Sequence, residues 1–394
     1  MRLLHWHKNT VLIGVSMLAV LGVGEVLARL LWNPGGYRPI IQADPVYGWS
    51  LTPGVLARSV DTDRRLHYDV EINSLGWRDP EPPGSKQRDT KRLLILGDSM
   101  VFGAGVQYGE RFGDVLQRAL GDDVEVINAA VTGWGTDQQY LYLVHEGFDL
   151  DPDAVVLGLC LGNDVTNNML GHNLFGVAPK PRFELAGGKL VHVPPRERPP
   201  PSTSRRLGRA LQRSRLLHYV GRHIRILRAR ARRAPAPTPA MPYNPENLAA
   251  DESQWSVYRT EYSPRFEAAF QVTEALITAM HDSCAARRVP FLVFAFPLKV
   301  ETDPRARARE MAHFGFSSDW FDMDKPYRRI AALCEQRGCP LIYPIEVFRD
   351  RAAQAPLFLA RDPHPNPAGH ALAAESVLPE VEAALRLPIR PARR

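Results

Sequence analysis

Five short runs, at 93–96, 124–128, 154–160, 291–296 and 341–343, are apolar along almost their whole length. Amphipathic stretches at 111–120, 137–146, 265–287, 325–336 and 369–385 alternate with them. A strand apolar at nearly every position has both faces buried, and covering both faces of a sheet takes helices on either side. The alternation therefore predicts an α/β fold: three layers, α/β/α, around a central and mostly parallel sheet. The series breaks off between Val165 and Glu261. In open sheets of this kind, binding and chemistry gather at the carboxyl ends of the strands.

The first run ends in Gly97-Asp98-Ser99, which puts a lone serine at that edge. After the second run, Gly133 offers a backbone N–H. After the third, Gly162-Asn163-Asp164 offers a side-chain amide. Much later, Asp362-Pro363-His364 supplies an acid and a base. A serine nucleophile needs a base, the base needs a carboxylate to fix its tautomer, and the attacked carbonyl needs N–H donors for its developing charge. Ser99, His364 and Asp362 meet the first two needs. The Ser99 amide, Gly133 and Asn163 meet the third, as a three-donor oxyanion hole. Taken singly, Ser99 or Asn163 reads as a helix cap and Gly133 as a turn residue. It is their joint occurrence in this order that points to acyl chemistry. His370 reads as a structural residue in the first turn of the last helix.

In these blocks the chain resembles the SGNH, or GDSL, hydrolase family, named for a Ser, Gly, Asn and His in separate blocks. Gly97-Asp98-Ser99, Gly133, Gly162-Asn163-Asp164 and Asp362-Pro363-His364 match them in family order. The resemblance implies an SGNH/flavodoxin-like fold with Ser99 as nucleophile, His364 as base, Asp362 as its orienting acid, and Ser99, Gly133 and Asn163 as the oxyanion hole. Glu25-x-x-x-Arg29 and Asn73-x-x-Gly76-Trp77-Arg78 look like membrane-anchored bacterial members. One departure matters: the family spaces acid and base as Asp-x-x-His, whereas here the spacing is Asp-x-His, with Arg361 at the commoner acid position.

Other chemistries lack their residues. Position 101 is Val, so the Gly-x-Ser-x-Gly elbow is absent. Gly103-Ala104-Gly105 is followed by Tyr108 where a dinucleotide loop needs glycine, and the second strand ends at Asn128 rather than an acid. No cofactor is expected. No metal is expected either: six residues do not bring His364 and His370 onto one helical face, and there is no pair of Cys-x-x-Cys units.

The N-terminus reads as a membrane signal. Arg2 and Lys8 precede an apolar core at 11–24, and the apolar pattern resumes around Glu25 and Arg29 up to Trp32. Residues 10–32 would span about 35 Å as a helix, enough for a bilayer. Glu25 and Arg29, four apart, can pair on one face. No Ala-x-Ala-type cleavage site follows closely, so the expectation is an uncleaved single-pass anchor in the cytoplasmic membrane, with the catalytic body extracytoplasmic (periplasmic). Residues 1–35 then form the cytoplasmic N-terminus and anchor, and 36–90 a short β-rich extension and linker, its 79–91 stretch a surface linker. Residues 91–394 form the catalytic domain, with a Pro/Arg-rich insertion at about 170–250.

That insertion is where the charge lies. The segment 198–233, bounded by Arg198 and Arg233, carries twelve arginines and no acid, against a whole-chain charge of +6, which leaves the remainder at −6. Leu207, Leu211, Leu217, Val220, Ile224 and Leu227 recur between the arginines at largely helical spacing. The helix either packs on the body or contacts anionic lipid or an acidic polymer. An exported location argues against nucleic acid. Cys334 and Cys339 flank a helix-to-strand turn and could form a small-loop disulfide in an exported body.

The reading is a serine esterase or acyl hydrolase acting on an ester outside the cytoplasmic membrane, glycan-linked esters included. The alternative is an O-acyl(acetyl)transferase or deacetylase acting on a cell-envelope polysaccharide. A degenerate, non-enzymatic glycan-binding protein is the third class, and the intact Ser99, Asn163 and His364 argue against it.

Overall fold

The computed structural model describes residues 2–31, 40–60, 67–81, 86, 89–172, 179–195, 214, 216–217, 220, 253–360 and 362–387. The chain divides into two compact units, Met1–Tyr37 with Arg198–Pro239, and Arg38–Glu197 with Ala240–Arg394.

In the first unit, helix α1 (Arg2–Leu31) holds the expected pair, Arg29 Nε donating to Glu25 Oε1 at 2.8 Å. Glu25 Oε2 also accepts from Ser214 Oγ at 2.7 Å and from the Leu216 amide at 3.0 Å. A stretch of the arginine-rich segment is thus tied to α1 by a carboxylate at a helix start. The rest of 198–233 lies outside the described residues, as do Trp32 and the side chains of Val11, Ile13 and Leu18. Among the described residues no helix is long and apolar enough to cross a membrane. The expected anchor is therefore helical in this structure without being shown as a span.

The second unit is built on five parallel strands: β5 (Lys91–Gly97), β6 (Val124–Ala130), β7 (Ala154–Leu159), β10 (Phe291–Ala295) and β11 (Leu341–Ile342). Their spatial order is β11-β10-β7-β5-β6. Successive strands step one way from β5 to β6 and the other way from β7 onward. The order thus reverses between β5 and β7, the topological switch point at which open α/β sheets leave a crevice. Leu93 to Leu96 and all of β7 are buried because helices cover both faces. Helices at Phe112–Leu120 and Pro367–Ala384 pack together on one side, and those at Thr136–His145, Leu161–Met169 and Pro264–Ala285 on the other. This is the expected three-layer arrangement.

Two expectations need correction, and one open possibility, the disulfide, is not realised. The alternating series does not stop at Val165, since a helix runs through Leu161–Met169 and a hairpin follows, β8 (Arg182–Ala186) with β9 (Lys189–Val193). That hairpin turns on Gly187 and Gly188, both at positive φ, as a two-residue turn with left-handed central residues requires. The helix had no apolar periodicity to read, because its buried residues include Asn163, Asp164, Thr166, Asn167 and Asn168. Next, the 79–91 stretch is not simply a surface linker. Asp79 is largely buried, accepting from Arg111 Nη2 at 2.8 Å and from the Asn128 amide at 2.8 Å. Last, Cys334 and Cys339 are buried free thiols that lie against each other. The turn between them is closed without a covalent bond, by Gly338 at φ +69° and by the Cys339 N–H donating to Cys334 O at 3.0 Å.

The extension before β5 is part of the same core. Two antiparallel pairs, β1 (Ile41–Asp44) with β2 (Gly48–Leu51) and β3 (Leu56–Val60) with β4 (His67–Glu71), place Trp49, Leu51, Val55, Val70, Ile72 and Trp77 among the residues that bury the sheet.

Candidate active site

β5 ends at Gly97, and Ser99 opens the four-residue helix Ser99–Phe102. Asp98 caps that helix by accepting from the Met100 amide at 2.8 Å, which leaves the serine at the tip of the turn, half-buried and open on one side. The turn is tight against the sheet. A Cβ at Gly97 or at Gly158 would stand 2.3 or 2.4 Å from Val101 Cγ2, far inside van der Waals contact, so the Val101 side chain fills the space between the two glycines.

His364 comes from the loop before the last helix. Its Nε2 lies 2.8 Å from Ser99 Oγ, and its Nδ1 lies against Asp362 Oδ1 in a short contact. Asp362 Oδ1 also accepts the His364 backbone N–H at 2.9 Å, so one carboxylate oxygen fixes both the ring and the backbone of the residue two positions on. The Asp-x-His spacing thus still lets acid meet base. With Nδ1–H donating to Asp362, Nε2 is left to accept the serine proton. The loop is tied down in turn, Lys299 Nζ donating to Leu359 O at 2.7 Å and to Ala360 O at 2.8 Å. Arg361 lies outside the described residues.

Burial pulls the His364 pKa down, but its bond to Asp362, the Asp362 charge and the Asp98 charge outweigh it, and the net shift is upward from 6.5. Asp98 is itself buried, which raises its pKa against the bonds from Asn163 and Met100 and the nearby imidazole.

The three donors end up at adjacent strand ends: Ser99 after β5, Gly133 after β6 and Asn163 after β7. Among the described residues the Ser99 and Gly133 N–H groups have no hydrogen-bond partner. Asn163 Nδ2 donates to Asp98 Oδ2 at 2.7 Å, which uses one of its two hydrogens and leaves the other. Asp164 reads differently. Its Oδ2 accepts from the Cys160 amide at 2.7 Å, closing the first turn of its own helix. His370 is fully buried, accepts from the Phe112 amide at Nδ1, and is held down to about 3, by burial first and then by neighbouring positive groups. Among the described residues no group of three His, Cys, Asp or Glu is placed to hold a metal ion.

Two residues around the site were given no role there by the sequence. Arg78, 2% exposed, donates to Phe102 O (3.1 Å), Gly103 O (2.7 Å), Val106 O (2.8 Å) and Asp69 O (2.9 Å), pinning the loop that leaves the serine helix. Trp49 donates from Nε1 to Thr132 O at 3.1 Å. The only sequence signals were the Gly76-Trp77-Arg78 and Tyr47-Gly48-Trp49 clusters, which mark local turns and do not name these distant partners.

No family model and no curated protein matches the chain. Solved structures do. One described as TesA is 15% identical, over 75% of this chain and 99% of that chain, with a TM-score of 0.38. A catalytic mutant of an acetylxylan esterase from Geobacillus stearothermophilus is 12% identical, over 78% of this chain and all (100%) of that one, with a TM-score of 0.39. A GDSL-like lipase from Bacteroides thetaiotaomicron is 10% identical, over 76% and 92%, with a TM-score of 0.37. The chain is similar to GDSL-type ester hydrolases.

Proposed function

We propose that this protein is a serine acyl hydrolase that cleaves carboxylic esters through Ser99, His364 and Asp362. The observation that carries the reading is the 2.8 Å approach of His364 Nε2 to Ser99 Oγ, made by residues 265 positions apart, with the far side of the imidazole engaged by a carboxylate. In this reading Ser99 Oγ attacks the ester carbonyl as its proton passes to His364 Nε2. The tetrahedral oxyanion is met by the N–H groups of Ser99 and Gly133 and the second hydrogen of Asn163 Nδ2. His364 returns the proton to the departing alcohol, and the acyl group stays on Ser99 until a water, deprotonated by the same nitrogen, releases it as acid.

The reading extends to location, where it rests on sequence alone: the apolar core at 11–24 behind Arg2 and Lys8 supports an anchored protein with its body outside the cytoplasmic membrane. Separation of membrane and soluble fractions, with protease added to spheroplasts, tests that part. The chemistry is tested with p-nitrophenyl acetate and longer esters. Turnover is expected in the wild type and none in Ser99→Ala or His364→Ala at unchanged circular dichroism. Turnover that survives Ser99→Ala sinks the mechanism. A Ser99-dependent burst without turnover favours acyl transfer to a glycan hydroxyl.

A further inference from the structure

We propose that Trp49, in the hairpin before the α/β body, is the residue that aims the Gly133 N–H at the oxyanion, and so acts as a positioning residue for catalysis. The inference rests on the serine-hydrolase reading and assigns a role to a residue that reading does not use. Its basis is the planarity of one peptide. Thr132 C=O and Gly133 N–H belong to the same trans amide, so they point in opposite directions, and fixing one fixes the other. The indole Nε1–H of Trp49 donates to Thr132 O at 3.1 Å. That bond sets where the Gly133 N–H points, and a carbonyl that accepts a hydrogen bond leaves its own N–H a better donor.

Further contacts hold the arrangement. Trp134, immediately after Gly133, donates from its own Nε1 to Trp49 O at 3.0 Å, so the hairpin and the loop bind each other reciprocally. The Trp134 amide donates to Val131 O at 3.1 Å, and the Val131 amide to Gly97 O at 3.3 Å, which ties the loop to the strand that carries the serine. Gly133 sits at φ +79°, where a side chain is strained, and a Cβ there would lie 3.7 Å from Trp49 Cζ2. The indole therefore packs on the residue whose donor it orients. Trp49 is itself only 2% exposed, and Tyr47, two residues before it, is anchored by Gln138 Nε2 donating to its carbonyl oxygen at 2.6 Å. An oxyanion donor works only when held in place before the charge develops, and deleting one outright costs about 10²–10³ in kcat. Loosening a donor that is still present should cost less, roughly tenfold.

The test removes the N–H and keeps the ring. The full-length chain is prepared with β-(3-benzothienyl)alanine at position 49, an isostere with sulfur in place of N–H, and in parallel as Trp49→Phe. Ser99 acylation by p-nitrophenyl acetate is followed, with Ser99→Ala alongside. The expected result for the isostere is a roughly tenfold lower acylation rate at unchanged KM and unchanged melting temperature, with a trifluoromethyl ketone, which forms a tetrahedral oxyanion on the serine, bound correspondingly more weakly. Wild-type acylation and ketone affinity in the isostere overturn the positioning role and leave the hydrolase reading intact. A loss confined to KM or to melting also overturns it, because that is what a merely packed tryptophan would give. Wild-type protein whose Ser99 does not react sinks the hydrolase reading and this role together.

Discussion

At His364, opposing influences meet on one imidazole, and the sign of their sum is testable. Burial favours the neutral ring, whereas the Asp362 bond and charge, with Asp98 behind, favour the cation and prevail. A general base must be neutral to act, so ester cleavage should rise with pH through a midpoint above 6.5. Asp362→Asn removes the bond to a charge and the charge itself, leaving burial dominant. The midpoint should fall, while the rate at the plateau drops by about 10²–10⁴ because the tautomer is no longer fixed. A pH–rate profile that keeps its midpoint in Asp362→Asn would show that another group sets it. The linked effect on stability has the opposite direction in pH. A histidine with a raised folded pKa contributes stability below 6.5 and loses it as pH climbs through the folded value. Ser99, Asp362 and His364 were legible because each needs only its own short motif and a place in chain order. Trp49 and Arg78 were not, since what they do is defined by carbonyls 83 and 24 to 28 positions away.

The elements behind the site were legible in proportion to how apolar they are. β5, β7 and β10 announced themselves as unbroken apolar runs, whereas the Leu161–Met169 helix hid because it buries polar groups against partners from other elements. Asn168 Nδ2 donates to Thr273 Oγ1 at 2.8 Å, and Lys180, paired with Asp137, donates to Asn167 O at 2.9 Å. The short helix Lys299–Thr302, which holds the His364 loop through Lys299, was invisible for a similar reason: its anchor is a buried acid. Glu301, 1% exposed, accepts from Tyr258, from Tyr327 Oη at 2.6 Å and from the Leu298 amide at 2.6 Å. Burial nevertheless pushes it up to about 7, against those bonds and the Arg349 charge. The folded chain thus keeps this proton to higher pH than the unfolded one does, so stability should fall as pH rises from 4.5 to 7, by about 3 kcal/mol if the shift is realised in full. Glu301→Gln cannot ionise. It sets an amide NH₂ against the Leu298 N–H and so costs about 1–3 kcal/mol at any pH. Its denaturation curves should nonetheless lack the decline between pH 5 and 7.5 that the wild type shows. An equal decline in both proteins would assign that slope to other groups.

Over the whole molecule, the boundary near residue 90 that composition suggests is not where the fold divides. Charge and proline at 79–91 look like a junction, yet Arg38–Glu197 belongs to one compact unit with the C-terminal half. Trp49, Leu51, Val55, Val70, Ile72 and Trp77 are each at most 6% exposed within the core that buries the sheet. Each such side chain contributes about 1.5–3 kcal/mol by leaving water, so the six together are worth on the order of 10 kcal/mol. That is comparable to the whole net stability of a typical domain, about 5–15 kcal/mol. Removing them also strips Arg78 from three carbonyls beside the serine helix and Trp49 from the Gly133 loop. A chain begun at residue 38 should therefore keep the secondary structure and cooperative melting of the α/β body, and whatever Ser99 reactivity the full chain has. One begun at residue 82 should be recovered aggregated or without a cooperative transition, even though every strand of the five-stranded sheet and every proposed catalytic side chain is still present. Circular dichroism and calorimetry of the two truncations decide the point. A folded, Ser99-reactive product from residue 82 would show that the extension is an accessory layer after all, and that the Gly133 loop holds its shape without it.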